Sequence, residues 1–237
     1  MTLRGKSDPG WSALVAEWKA TQARLRERMV VAPLEPLPRF VAGADCAFSP
    51  DKRTIFAAAV VYDRETRRIV EVTHATRPAE IPYVPGFLSF REGPAIKQAI
   101  GALQHEFGAI LFDGHGFAHP RRCGIASHLA IELDKPGVGV GKSRFIGAHG
   151  MPASRAGATT PLCDGGEQIG AVLRTQAGIR PVFVSIGHRV DLTSAVRLVL
   201  ACCTRYRIPE PTRQADIEVA KLKRDQGRTG ILSPSDL

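Results

Sequence analysis

Three carboxylates in this 237-residue chain stand where their charge has to do something: Asp45 inside the apolar run FVAGADCAF, Glu92 beside the helix start marked by Pro94, and Asp113 at the end of AILF. An unpaired carboxylate inside a strand is costly, and one at a strand end meets solvent and ligands. The three are separated by 47 and 21 residues, so only a fold could gather them. Gathered, they would repel unless a divalent cation neutralised them, and an oxygen-only set with no cysteine pair nearby suits Mg²⁺, with Mn²⁺ able to substitute. That set supports phosphodiester hydrolysis, with Lys142 and His188, both at strand ends, placed to neutralise or protonate developing charge.

The stretch Ala109 to Ala130 concentrates the chemistry. Gly114 and Gly116 allow close backbone approach, His115 and His119 supply imidazoles, and Arg121 and Arg122 offer two phosphate-binding forks. Each residue taken singly also fits a solvated strand-to-helix turn; their density argues against that. Asp113, His115 and His119 leave open a transition-metal set, although His119 before Pro120 reads better as an orienting or phosphate-contacting group. His128 reads as a core histidine. Gly141-Lys142-Ser143 resembles the end of a phosphate-binding loop, but that motif requires glycine where Pro136 stands, so Lys142 is read as a single cation.

The elements that must position these groups follow from periodicity. Asp8-Pro9 opens an amphipathic helix over 9–31; Phe40 to Phe48, Thr54 to Tyr62 and Arg68 to Thr73 form an antiparallel meander. A stiff loop, Pro82-Tyr83-Val84-Pro85-Gly86, leads to a helix opened by Pro94 that runs to about Gln104. A helix over Cys123 to Leu133 follows the central strand, then a strand ending at Gly141, a loop from Met151 to Glu167, and a strand pair over Ile169 to Arg174 and Val182 to Ile186. Asp191 caps a buried helix, a last helix covers about Arg213 to Arg224, and the tail from Asp225 reads as frayed. The fold class is α/β, a mixed central sheet with an antiparallel meander plus parallel strands, flanked by helices in one domain over 1–237.

Composition narrows the partners. Lysine and arginine number 32 against 23 acidic residues, a net charge of +9, which favours a polyanion and makes nucleic acid the first candidate. No window is apolar enough for a membrane span, and the N-terminus lacks a secretory signal's apolar core, so a cytoplasmic protein is expected. Five cysteines without a CxxC pair read as reduced thiols.

The stretches AGADCAF, PYVPGFLSFREGP, FDGHGFAHPRRCGIASHL, GVGKSRF, FVSIGHRVDLTSA and YRIPEPTRQAD, in this order, resemble the endonuclease V family over nearly the whole chain. The resemblance implies a ribonuclease H-like fold and a metal-dependent enzyme that recognises deoxyinosine in DNA and hydrolyses a phosphodiester bond on its 3′ side; a monomer is expected. It implies Asp45, Glu92 and Asp113 as metal ligands, Lys142 and His188 as the active-site cation and histidine, and Tyr83 as the strand-separating wedge. Gly86, Leu88, Gly114, Gly116 and Ile125 would line the pocket for a flipped hypoxanthine. His115, Phe145 and Ile186 depart from the family's usual glutamine, leucine and proline, and Phe145 bears on the pocket. Two alternatives remain: a nuclease of the same fold acting on inosine in RNA or on branched DNA, and a non-catalytic nucleic-acid-binding module, against which the three acids argue.

Overall fold

The computed structural model describes residues 9–229. Among the described residues nine strands form one sheet, in the order β3 (Arg68–Pro78), β2 (Thr54–Asp63), β1 (Phe40–Phe48), β4 (Ala109–Phe112), β5 (Gly137–Gly141), β9 (Val182–His188), β8 (Glu167–Leu173), β7 (Thr159–Asp164) and β6 (Ala148–His149). Strands β1 (Phe40–Phe48), β2 (Thr54–Asp63) and β3 (Arg68–Pro78) make the expected antiparallel meander, β3 running five residues beyond its predicted end. Next to β1, β4 (Ala109–Phe112) and β5 (Gly137–Gly141) lie parallel to it, and β9 (Val182–His188) returns antiparallel to β5. Three adjacent parallel strands therefore end on the same rim. The strands β6 (Ala148–His149), β7 (Thr159–Asp164) and β8 (Glu167–Leu173) complete the far edge.

Alternation along β1 sorts its side chains to two faces. Ala42 and Ala44 join Ile110 and Phe112 beneath α2 (Leu88–Gly101) and α3 (Ile125–Leu133). Val41, Leu111, Val138 and Val184 pack on the opposite face under α4 (Leu192–Ala201), which Asp191 caps by accepting the Ser194 N–H at 2.7 Å, as its sequence predicts. On that face α5 (Glu210–Thr229) crosses β1 so closely that a Cβ on Gly43 would lie 2.2 Å from the Pro211 carbonyl carbon. Helix α1 (Pro9–Glu27) lies outside α3, with Leu25 against Cys123 and Ile131, and Trp18 against Phe87 and Phe90. The five cysteines are free thiols, and among the described residues no helix is long and apolar enough to cross a membrane.

Several boundaries differ from expectation for identifiable reasons. Helix α1 closes at Glu27, not 31, through tight turns from Leu25 O to Arg28 and Arg26 O to Met29, after which the Val30 N–H turns to His188. Its Asp8 cap lies outside the described residues. Helix α2 starts six residues before Pro94, which sits inside it; the lost amide bond is offset by the burial of Ala95, Ile96, Ala99 and Ile100 around it. Glu92 thus sits within the helix and not at its start. The predicted loop from Met151 to Glu167 contains β7, joined to β8 by the two-residue turn Gly165-Gly166, both with positive φ. Pro161 lies opposite Ala171 in the β7–β8 ladder, and β6 pairs only with Leu162 and Cys163, so β6 needs no N–H from it. Helix α5 begins at Glu210, whose buried carboxylate receives Arg213 and Gln214 from its own first turn, and continues to Thr229 where a frayed tail is predicted.

Gly43→Ala should cost about 2 kcal/mol or more in urea denaturation, because the new methyl has only the α5 backbone to push against. An unchanged midpoint would mean that α5 is not seated on β1.

Candidate active site

The rim where the parallel strands end carries the expected chemistry. In the β1–β4 register Ala44 pairs with Phe112, so the next residues, Asp45 within β1 and Asp113 just past β4, lie side by side at one level. Lys142 follows Gly141 at the end of β5, the next parallel strand, and its Nζ lies 2.5 Å from Asp113 Oδ2. Glu92 arrives from α2 on one face of the sheet. Burial raises the Asp45 carboxyl to about 8, helped by the charge of Asp113 and opposed by the Cys46 N–H and Lys142. Burial likewise raises Glu92 to about 7; the Cys46 thiol hydrogen bond and Arg91 work against the rise and Asp113 adds to it. For Lys142, burial is outweighed by Asp113, Asp45 and Asp216, which raise its pKa.

Asp216 was not singled out from the sequence. It projects from α5 on the other face, close enough for its charge to act on both Asp45 and Lys142. Its signal was the last residue of YRIPEPTRQAD, and the close approach of α5 to Gly43 is what brings it to the rim. The resulting donor set is oxygen-only, anionic and largely dehydrated, which fits a hard divalent cation. Among the described residues no three acidic, histidine or cysteine side chains are yet closed around one point. Present partners account for that: Lys142 holds Asp113, Asp45 Oδ1 accepts the Cys46 N–H at 2.8 Å, and Glu92 takes the Cys46 thiol.

Beside the rim lies a cavity of about 280 Å³. Gly86, Leu88, Gly114 and Ile125 line it, as the sequence implies, together with His115, His119 and Phe145. Gly114 needs its glycine: φ is +151° and a Cβ would meet Ile125 Cγ2 at 2.7 Å. Tyr83 stands at the mouth with 64% of its surface exposed, between exposed Pro82 and Pro85 and half-buried Val84, so it is not a core aromatic. Phe145 is 41% exposed and lies over His115 with ring centroids 6.0 Å apart.

Other predicted site residues serve elsewhere. Gly116 does not line the cavity; it is buried where a Cβ would strike the Ile186 carbonyl at 2.1 Å, and that carbonyl also accepts the Phe117 N–H. Arg121 is not a free phosphate fork: its guanidinium donates to Gln22 Oε1 and the Gly86 carbonyl and lies over the Phe87 ring. Arg122 pairs with Asp164 at 2.9 Å and Glu167 at 2.7 Å. His188 is at the opposite rim, because β9 runs antiparallel to β5 and pairs His188 with Gly137, five strand positions from Lys142. There its Nδ1 accepts the Val30 N–H and its Nε2 faces Asp134, both at 3.2 Å. His128 is the structural histidine predicted, buried between Glu132 and Phe90.

His119 is not a metal ligand in this arrangement. Its Nδ1 accepts the Arg121 N–H at 3.2 Å, so Nε2 carries the proton given to the Gly86 carbonyl at 3.1 Å. Burial, with the Arg121 charge, lowers its pKa to about 4. His115 donates Nε2–H to the Ser143 carbonyl at 3.0 Å, and burial lowers its pKa as well.

The Endonuclease V family model matches residues 23–217. The Endonuclease V of Roseiflexus sp. (strain RS-1) is 47% identical over 88% of this chain and 93% of its own. The Endonuclease V of Streptomyces avermitilis superposes with a TM-score of 0.86 at 41% identity, over 90% of this chain and 94% of that one. A structure of Ciona intestinalis Endonuclease V in complex with a 24mer DNA containing an inosine followed by a ribo-adenosine gives a TM-score of 0.80 at 26% identity, over 90% and 99% of the two chains. The mixed sheet and flanking helices are thus the ribonuclease H-like arrangement that the sequence implied.

The lowered pKa of His119 has a defined linkage. Between its ordinary value near 6.5 and about 4, the unfolded chain binds a proton that the folded chain refuses, so stability falls as pH drops through that window, by up to about 3 kcal/mol. Chemical denaturation at pH 6.5 and 4 should show a steeper loss for the wild type than for His119→Leu; parallel losses would mean that His119 is protonated in the fold.

Proposed function

The chain belongs to the Endonuclease V family, and we propose that it is a Mg²⁺-dependent endonuclease that recognises deoxyinosine in DNA and hydrolyses a phosphodiester bond on the 3′ side of the lesion. The observation that carries this reading is the placement of Asp45, Asp113 and Lys142 side by side on three adjacent parallel strands, Asp45 within β1 and the other two just past the ends of β4 and β5, beside a cavity with an exposed tyrosine at its mouth. The Ciona relative's complex with inosine-containing DNA supports the choice of substrate.

Asp45, Glu92 and Asp113, with Asp216 beside them, would hold the cation, whose chemistry when bound is to acidify a water and stabilise the leaving oxygen. Lys142 is ion-paired to the cluster through Asp113; released from it, its Nζ can neutralise a phosphate oxygen at the same place. The cavity takes the base once it has left the stack, with Phe145 offering a ring face and Gly114 letting the backbone come close. Tyr83, exposed between two prolines, loses little ordering entropy when it fills the vacated space in the duplex.

Asp45→Ala and Asp113→Asn should each abolish nicking of a single-inosine duplex in Mg²⁺ while leaving its binding measurable, since the basic surface still attracts the backbone. Nicking at the wild-type rate by either variant would refute the metal assignment, and wild-type cleavage of the matched inosine RNA alone would redirect the substrate reading.

Tyr83→Ala should change stability by less than about 0.5 kcal/mol, as for an exposed side chain. It should weaken inosine-DNA binding by about 1–3 kcal/mol, the worth of one aromatic contact with a base. Unaltered selectivity between inosine and adenine duplexes would remove Tyr83 from recognition.

A further inference from the structure

Gln22 is 1% exposed on α1, far in sequence from the carboxylates and the cavity loops, and its amide is fully engaged with two other segments of the chain. Nε2 donates to the Gly86 carbonyl at 3.0 Å and to the Cys123 carbonyl at 2.9 Å, while Oε1 accepts Arg121 Nε at 2.5 Å. No N–H remains to offer a ligand, although the side chain borders the cavity. The Gly86 carbonyl is the convergence point, since it also receives Arg121 at 2.5 Å and His119 at 3.1 Å. Gly86 itself has φ +81°, and a Cβ there would lie 2.7 Å from the Arg121 guanidinium, so the backbone is pressed against this cluster. One residue on, the Phe87 N–H closes a turn onto the Val84 carbonyl at 3.0 Å, and Tyr83 is the next residue outward.

We propose that Gln22 is a positioning residue for lesion recognition: it fixes the Gly86 carbonyl, and through it the height at which Tyr83 is presented at the mouth of the cavity. The inference rests on the function proposed above and adds that the N-terminal helix, which supplies none of the carboxylates, governs selectivity. Without Gln22 the Cys123 carbonyl loses its side-chain donor, Arg121 Nε loses its acceptor, and the Gly86 carbonyl is left to His119 and to an arginine no longer held in place. Losing it therefore loosens the loop that carries Tyr83 and leaves the strand ends where they are.

Two variants test it. Gln22→Leu removes all three bonds, and Gln22→Glu keeps an acceptor for Arg121 while losing both donors. Each should speed hydrogen exchange at the Phe87 amide by about tenfold with the β4 amides unchanged, the signature of a local opening. Each should also raise KM for a single-inosine duplex about tenfold, with a smaller change in kcat, and narrow the preference for inosine over adenine. In a Tyr83→Ala background the effect on selectivity should vanish, since the two residues act through one element. Unchanged exchange at Phe87 in Gln22→Glu overturns the tether; additive effects of the two substitutions, or a loss confined to kcat, overturn the positioning role. Wild-type protein that fails to distinguish inosine from adenine overturns instead the function proposed above, and the exchange result still decides whether Gln22 holds the loop.

Discussion

The structure depends on a concentration of negative charge that it cannot hold comfortably. Asp45 and Asp113 stand side by side on adjacent parallel strands, Glu92 reaches the rim from one face of the sheet, and the charge of Asp216 acts from the other. Burial alone already pushes Asp45 and Glu92 toward protonation. A fold seeking only stability would place apolar side chains at such points. Much of the surrounding architecture serves to keep these acids in place: the glycine that seats α5 on β1, the early start of α2, and the Lys142 ion pair with Asp113.

What the sequence made legible was local. The run ending at Asp113, the carboxylate inside the Phe40 to Phe48 strand, the Asp191 cap and the proline-flanked Tyr83 each announce themselves within a few residues, and the structure puts them where local chemistry says. Relative direction was not legible. His188 and Lys142 both end apolar strands, but β9 runs against β5, so one strand end faces the carboxylates and the other faces the opposite rim. Arg121 and Arg122 failed for a related reason: their partners, Gln22 on α1 and Asp164 and Glu167 in the β7–β8 hairpin, are distant in sequence, and the hairpin itself was hidden by a loop-like composition. Asp216 was hidden because it closes a stretch whose other residues carry none of the site's chemistry, and its place beside Asp45 comes from how α5 is seated.

Chemistry and recognition share one segment. The residues from Asp113 to Arg121 begin at the carboxylate cluster and then border the cavity, so the acid that meets the phosphate and the backbone that meets the base cannot move independently. That coupling explains why a loop between β4 and α3, and not a helix or strand, carries so many polar groups: only irregular backbone can turn one residue to the rim and its neighbours to the cavity.

The same segment sets the width of the cavity through two histidines. His119 donates Nε2–H to the Gly86 carbonyl on one wall, and His115 donates Nε2–H to the Ser143 carbonyl on the other. In each case the other ring nitrogen has no acceptor for a second proton: Nδ1 of His119 already accepts the Arg121 N–H, and Nδ1 of His115 is buried with no partner among the described residues. An imidazolium at either place would bury an unpaired N–H as well as a charge, which is the physical reason both pKa values fall. Burial thus favours the neutral donor on both walls. The spacing between the loop that carries Tyr83 and the loop that carries Phe145 is thus fixed by this segment before a base arrives.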